Sequence, residues 1–305
     1  MLLKRLAVLV VLLAGCAGSD TPEEPATIVV DVNVRGEPSF ETFRLADGRL
    51  TPGKLDAPRV YGRAGEEPDR QSIVWEEIYL REPDGSVRRL TNDRRADLAP
   101  QLLQDGRIAF VSCVYSENGD PPACTLDAIE PRSGERQTLL RDLGIVFHGE
   151  LSPDETRFLF SRYHQSGARA GLFVREREGG EERRLVDGYG GRWSPDGDRI
   201  AFLSDRDENG RCLFHDCIGY AQELYIADAA GSDERRLTEN PENDGLPTWS
   251  GDGEWLVVGR IPDEDGDWDL YAVRADGECE RQLTDTPRWE TRAEWHGGGH
   301  GGLSC

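Results

Sequence analysis

Positive charge is scarce in this chain of 305 residues. Asp and Glu together number 58 against 36 Lys and Arg, which gives a formal net charge of −22. A surface of that sign repels phosphate groups, and binding to nucleic acid depends mainly on neutralising them. We therefore expect no nucleic acid among the partners.

Several longer patterns are also missing. After residue 14 no apolar run is long enough to form a transmembrane helix. Long amphipathic helical patterns are absent, which disfavours a helical solenoid. The motif G-x-S-x-G does not occur either, so the nucleophile elbow of the α/β-hydrolases is not expected.

The first residues, MLLKRLAVLVVLLAGCAGSD, contain a basic pair, an apolar run of 6–14 and the sequence Leu13-Ala14-Gly15-Cys16. This end resembles a bacterial lipoprotein lipobox; an ordinary signal peptide is the alternative. The resemblance implies a signal peptide over 1–15, cleavage before Cys16 and lipidation of Cys16, palmitate included. Each buried methylene of the lipid contributes ~0.8 kcal/mol to membrane binding, so a multiply acylated chain stays anchored.

The segment that follows is polar and rich in proline, so we expect the lipidated cysteine and a disordered tether over 16–27. Ala17, rather than Asp, follows the cysteine. By the usual sorting pattern this implies the outer membrane if the host is Gram-negative, and otherwise the outer face of the cell membrane. The expected location is extracytoplasmic in both cases.

Six further cysteines read as disulfides, because their count is even and the chain appears exported. Cys113 with Cys124, and Cys212 with Cys217, are close enough in sequence to close single loops, and Cys279 with Cys305 then follows by elimination. A zinc site would instead need thiolates that converge from several loops.

Two short phrases alternate along the chain. The first begins at residues 102, 151, 193 and 249 and reads LLQDGRIAFVSC, LSPDETRFLFSR, WSPDGDRIAFLS and WSGDGEWLVVGR. The second begins at 77, 223 and 269 and reads EIYLREPDGSVRRLT, ELYIADAAGSDERRLT and DLYAVRADGECERQLT, with weaker copies from 126 and 172. The leucines that end its copies are 49, 46, 52 and 46 residues apart, a period typical of propellers or solenoids: Leu90, Leu139, Leu185, Leu237 and Leu283.

Each phrase predicts two short strands joined by a tight turn. Glycine stands where such turns require a positive φ, and β-branched and aromatic residues fill the strands. Two phrases make one four-stranded blade, with strands named a to d, and radial stacking of blades protects the sheet edges.

The pattern WSPDG…IAF.SDRD…LY…G…RRLT resembles the TolB-type propeller repeat, which also occurs in the propellers of some exported peptidases. The resemblance implies an all-β, TolB-like β-propeller over 75–305 with five or six four-stranded blades, closed by N- and C-terminal strands. We expect the pairs 77–91 and 293–305 to complete one closing blade together, locked by Cys279–Cys305. The segment 28–74 is then a β cap or an extra blade.

The predicted b–c and d–a connections are long and share one face of the ring, where recognition is usual. We therefore expect a monomeric, membrane-anchored scaffold that binds one or more envelope proteins. The alternative is a glycan- or peptide-processing enzyme, because lyases of related propeller fold place histidines and a metal at the ring mouth. Fold alone does not decide between these functions.

Two ligand sites are conceivable on that face. Asp205, Asp207, Asn209 and Asp216 have a spacing that imitates an EF-hand loop and suggest calcium, although the repeat itself writes a similar acidic loop. His148, His164 and His215 map to adjoining blades and suggest a three-histidine metal site. The C-terminal His296 and His300 lie among glycines that would hold a metal loosely.

We predict that the mature protein begins at Cys16 and carries acyl chains there. Mass spectrometry of the membrane fraction checks this, with Cys16→Ala as the variant that is expected to lose the acyl mass. A mature protein that keeps its first fifteen residues contradicts the lipoprotein interpretation.

Overall fold

The computed structural model is an all-β chain. It describes the following residues, with side chains for most of them: 26–34, 37–46, 49–52, 59–64, 76–82, 84, 86–93, 95–114, 123–162, 170–208, 222–261, 268–285, 289–297 and 299–305.

The strands, numbered along the chain, are β1 Ala26–Val34, β2 Glu37–Ala46, β3 Arg49–Pro52, β4 Arg59–Ala64, β5 Glu76–Arg81, β6 Val87–Arg89, β7 Ala96–Leu102, β8 Ile108–Val114, β9 Ala123–Ile129, β10 Arg136–Leu140, β11 Val146–Leu151, β12 Arg157–Arg162, β13 Gly171–Glu176, β14 Arg183–Asp187, β15 Tyr189–Trp193, β16 Arg199–Ser204, β17 Glu223–Asp228, β18 Arg235–Arg236, β19 Asn243–Asp244, β20 Thr248–Trp249, β21 Trp255–Ile261, β22 Asp269–Arg274, β23 Glu280–Gln282 and β24 Trp289–His296.

The repeats form blades as the sequence predicts. Strands β7 to β10, β11 to β14 and β15 to β18 each make a four-stranded antiparallel sheet in chain order, here blades 3, 4 and 5. Blade 6 consists of β21 to β23 with β19 and β20, two pieces of an interrupted first strand, both paired with β21. The predicted all-β propeller is confirmed.

The closing blade differs from the prediction. Strand β24 pairs with β1, and β2 and β3 continue that sheet, which we call blade 1. The predicted partner of the C-terminal pair, segment 77–91, instead supplies β5 and β6 of blade 2, where β5 pairs with β4. The described residues therefore form six sheets, and the N-terminal segment is a blade rather than a cap.

The glycine-rich tail explains part of this error. The sequence after Trp295 was expected to supply a second strand, but Gly297, Gly299, Gly301 and Gly302 all have positive φ. A run of left-handed residues does not continue an extended strand. The nine-residue β1 pairs along β24 in its place.

The buried apolar side chains lie between the blades. In the part of the chain that the structure describes they form five clusters, each shared by two neighbouring blades. Phe158 and Phe160 of β12 pack toward blade 3, whereas Leu159 between them packs toward blade 5. Both faces of the strand are buried, which explains why the sequence RFLFS is apolar without alternation. Each such side chain contributes ~1.5–3 kcal/mol by burial.

First strands lie at the centre and fourth strands at the outside. Around the centre β7 contacts β11, β11 contacts β15, β15 contacts β20 and β20 contacts β24. The outer strand β6 is exposed at all three residues. Each first strand therefore runs along the centre of the ring.

The two faces of the ring differ in their connections. First and second strands are joined by tight turns such as the one that Ser194 N closes by donating to Arg199 O at 2.9 Å, with Gly197 at φ +74°. These turns and the turns between third and fourth strands define the short-turn face. The opposite face, here the long-loop face, carries the longer second-to-third connections and the links between blades.

Two disulfide bonds are present. Cys113 and Cys124 are direct cross-strand partners in β8 and β9, and both are buried. Cys279–Cys305 ties the C-terminal residue to blade 6. Cys16, Cys212 and Cys217 lie outside the described residues.

We expect Cys305→Ser to lower the free energy of unfolding by about 3 kcal/mol, because the bond closes a loop whose ends are 26 residues apart. Urea denaturation of oxidised protein measures this, and the neighbouring exposed Ser304→Ala is the matched control. Equal midpoints for the two variants would show that the bond contributes nothing to closure.

Candidate functional site

A belt of polar residues follows the centre of the ring, which we call the channel belt. Its members each stand immediately before a Leu or Trp in a first strand: Gln101, Glu150, Arg192, Thr248 and Glu294. The Gln101 side chain accepts a hydrogen bond from Leu151 N at 2.8 Å, and Glu150 accepts one from Trp193 N at 3.2 Å. Thr248 Oγ1 accepts from Trp295 N at 3.3 Å. The Arg192 carbonyl accepts from the Trp249 indole at 3.1 Å. Each bond joins one first strand to the next.

Three arginines link a blade to the segment that enters it from the preceding blade. We call Arg162, Arg206 and Arg260 the interblade arginines. Arg162 donates to Leu143 O, and Arg206 donates to Asp187 O at 2.7 Å. Each also pairs with a glutamate of its own blade: Arg162 with Glu182, Arg206 with Glu234 and Arg260 with Glu280.

Aromatic rings support these arginines from below. The Arg162 guanidinium lies 4.9 Å from the ring centre of Phe173, that of Arg206 4.6 Å from Tyr225, and that of Arg260 4.4 Å from Tyr271. Stacking of this kind contributes ~0.5–2 kcal/mol. It also fixes the plane of the guanidinium, which then presents its donors to a carboxylate in two directions.

Asp244 is the most buried acid of this network, with no exposed surface. It accepts a hydrogen bond from Arg260 Nε at 2.6 Å, and its other oxygen accepts one from Thr238 Oγ1 at 2.6 Å. Thr238 follows blade 5 and Arg260 belongs to blade 6, so the carboxylate bridges two blades. Burial raises the pKa of Asp244 to about 6, against the lowering effects of Arg260 and Thr238.

The predicted calcium ligands are only partly described. Asp205 and Asp207 follow β16, whereas Asn209 and Asp216 lie outside the described residues. Asp207 Oδ2 accepts a hydrogen bond from the Tyr225 hydroxyl and lies 3.5 Å from Arg236 Nε. A guanidinium at that distance supplies positive charge that a calcium ion would otherwise provide. In the described part, Asp207 therefore works within blade 5.

Of the three histidines proposed as a metal site, only His148 is described. It lies in β11 and is 6 % exposed. His164 and His215 lie outside the described residues, so their distance from His148 is not part of the structure. The three-histidine site stays a prediction.

Sequence reasoning missed the channel belt and the interblade arginines. The signal was present in the repeat alignment: Arg162 and Arg260 occupy the same place at the end of a second strand. Their partners stand at different sequence distances, so only the folded blades bring them together.

No helix in the described residues is long and apolar enough to cross a membrane. The two disulfides are typical of proteins that fold in an oxidising compartment outside the cytoplasm.

No family model matches the sequence. Among curated proteins, the "Uncharacterized peptidase YuxL" of Bacillus subtilis is 42% identical over 77 residues, which are 25% of this chain and 10% of that protein. The Tol-Pal system protein TolB of Anaeromyxobacter dehalogenans is 30% identical over 117 residues, 38% of this chain and 24% of that protein. The matches thus span a quarter or less of each curated relative.

Solved structures agree with the fold. TolB from Acinetobacter baumannii superposes with a TM-score of 0.61 at 19% identity, over 89% of this chain and 66% of that one. A putative TolB from Agrobacterium tumefaciens gives 0.57 at 18% identity, over 88% and 91%. Hydrazine synthase from Kuenenia stuttgartiensis gives 0.60 at 12% identity, over 89% and 46%. The chain thus contains a TolB-like β-propeller, a fold shared by proteins of different function.

Asp244 predicts a pH-dependent stability. Its carboxyl group binds a proton more readily in the folded chain, at a pKa of about 6, than at its ordinary value of 3.8. The stabilisation from the protonated group is complete below about pH 4 and is lost as pH rises through 6. The loss amounts to about 3 kcal/mol.

The comparison with Asp244→Asn isolates this group, because other titrations affect both proteins alike. We expect the free energy of unfolding of the wild type, minus that of the variant, to fall between pH 4 and pH 7. Urea titrations across that range measure the difference. A difference that rises with pH would show that the Arg260 charge dominates over burial.

Proposed function

We propose that the chain is a lipid-anchored, extracytoplasmic β-propeller that binds another envelope protein through its long-loop face. One observation carries the proposal: the register of β1 against β24 fixes the face from which the N-terminal tether leaves the ring. The lipobox supports the anchor, and the TolB-like fold supports a scaffold.

The register supports a tether at the short-turn face. Like every first strand, β24 runs from the long-loop face to the short-turn face. Thr27 pairs with His296 near the end of β24, and Asn33 pairs with Trp289 at its start. Strand β1 therefore begins at the short-turn face, and so does any segment that precedes Ala26.

The tether is short compared with the ring. Ten residues separate Cys16 from Ala26 (26 − 16 = 10). A flexible segment of that length has a mean end-to-end distance of ~17 Å and reaches at most ~35 Å. A six-residue strand such as β16 spans ~20 Å from face to face. Anchoring at the short-turn face therefore favours an orientation in which the long-loop face points away from the membrane.

The long-loop face offers the larger recognition surface. Its second-to-third connections run from Val114 to Ala123, from Arg162 to Gly171, from Ser204 to Glu223 and from Ile261 to Asp269. Long connections on a rigid scaffold commonly carry binding residues. The net charge of −22 favours a partner with a basic surface.

The enzyme alternative has weaker support. The peptidase relative is matched over 10% of its own length, and its activity is not carried to this chain by that segment. Alanine at His148, His164 and His215 separates the two functions, since a scaffold keeps its partner and has no turnover to lose.

The orientation is tested with two exposed positions of blade 5. Glu239 lies after the fourth strand on the long-loop face, and Asp233 lies in a turn of the short-turn face. With a fluorescent amino acid at either position and the acylated protein on vesicles that contain nitroxide lipid, we expect stronger quenching at Asp233. Stronger quenching at Glu239 contradicts the orientation.

The partner surface is tested with a photo-crosslinking amino acid at the same positions. We expect the probe at Glu239 to yield a defined adduct in intact envelopes that addition of salt weakens, and the matched probe at Asp233 to yield none. An adduct from Asp233 alone contradicts the assignment of the binding face, while the quenching result stands independently.

A further inference from the structure

The short-turn face has one unusual place, where the C-terminal tail meets blade 6. Residues 297–305 follow β24 and cross to the turn between β20 and β21. There Asp252, Glu254 and His300 each offer a ligand atom, and these atoms lie within 4.8 Å of one another. Among the residues that the structure describes, this is the group with that property.

The tail is held in place at both of its ends. Leu303 is 4 % exposed and packs in one cluster with Leu45 and Trp255, which belong to blades 1 and 6. Cys305 is bonded to Cys279 of blade 6. His300 thus lies between β24 and a covalent tie, so the glycines around it do not leave it loose, as the sequence suggested.

The two oxygens of Asp252 have separate roles. Oδ1 accepts hydrogen bonds from Ser250 Oγ at 2.6 Å and from Glu254 N at 3.0 Å, which build the turn. Oδ2 lies 2.8 Å from His300 Nδ1, and that nitrogen lies 3.8 Å from Glu254 Oε2. The carboxylate is therefore oriented by the turn and directs its second oxygen toward the tail.

The corresponding turns of other blades have the same frame without the ligands. Ser152 with Asp154 in blade 4, and Ser194 with Asp196 in blade 5, repeat the contact of Ser250 with Asp252. The position of Glu254 is held there by Thr156 and Asp198. Neither turn has a histidine in such a group. The imidazole is specific to blade 6, and a separate segment of the chain delivers it.

We propose that Asp252, Glu254 and His300 form a site for a divalent transition-metal ion of the zinc class. Zinc binds imidazole nitrogen and carboxylate oxygen at ~2.0–2.2 Å, so ligand atoms that share one ion lie ~3–3.5 Å apart. The separations of 2.8 and 3.8 Å need only small side-chain movements to meet that geometry.

The donor set also selects the metal. Calcium takes six to eight oxygen ligands, whereas one imidazole with two carboxylates suits zinc or a neighbouring metal. Two carboxylates provide the charge that balances a divalent ion, and the acidic protein attracts cations to its surface. An ion here would connect the tail to blade 6 beside Cys279–Cys305 and reinforce the closure of the ring.

The test uses the mature chain with its disulfides intact, first stripped with EDTA. We expect Zn²⁺ at micromolar concentration to raise Tm by several degrees and Ca²⁺ at the same concentration to leave it unchanged. Calorimetric titration with Zn²⁺ should give one site per chain, weakened at acidic pH because protons compete for the imidazole.

Variants decide whether these residues are the ligands. His300→Ala and Glu254→Gln should each weaken Zn²⁺ binding at least tenfold, and Asp252→Asn should do the same while its amide oxygen keeps the turn. Asp196→Asn in the matching turn and His296→Ala in the same tail are the controls and should bind as the wild type does.

Three outcomes overturn the proposal. The first is a Tm that does not respond to Zn²⁺. The second is loss of binding in His296→Ala with retention in His300→Ala. The third is a fall in Tm of His300→Ala that is equally large in EDTA and in Zn²⁺, which would show that the histidine and Asp252 form an ion pair only.

Discussion

The hydrogen bonds between β1 and β24 are the constraint on which the rest of the molecule depends. Sheets arranged in an open series expose their terminal blades, and exposed edges invite wrong pairing. Here the first strand of the chain lies beside the last, over residues Thr27 to Asn33. Because the two ends are far apart in sequence, this pairing forms only after the intervening blades are in place. Closure is thus the most non-local contact in the fold.

Between the blades the stabilising interaction is apolar packing, and polar ties give it direction. The clusters around Phe158, Phe202 and Trp255 fill the spaces between sheets. The interblade arginines and the channel belt add hydrogen bonds at defined points. Paired charges that are partly exposed contribute little to stability, ~0–1 kcal/mol each. Their role is to fix how one blade is rotated against the next, which burial of apolar surface alone specifies weakly.

The two faces of the ring have different uses in our interpretation. The short-turn face receives the N-terminal strand and the C-terminal tail, and so it carries the tether, the Cys279–Cys305 bond and the proposed metal site. The long-loop face remains available for a partner. This division follows from strand direction: a first strand and the second strand that it pairs with always meet at the short turns. An anchor at one face and recognition at the other do not compete for surface.

Local patterns determined most of the fold. Period, turn glycines and apolar strands specify blades 3 to 6, because each blade is a local unit of about fifty residues, and the lipobox and cysteine count indicate export. Tertiary structure alone decided which end strands pair, since segment 77–91 and segment 28–51 offer the chain end similar partners. It also decided that Asp244 bridges two blades and that His300 meets Asp252. These contacts join residues distant in sequence, and their geometry depends on how whole sheets stack, which no short pattern encodes.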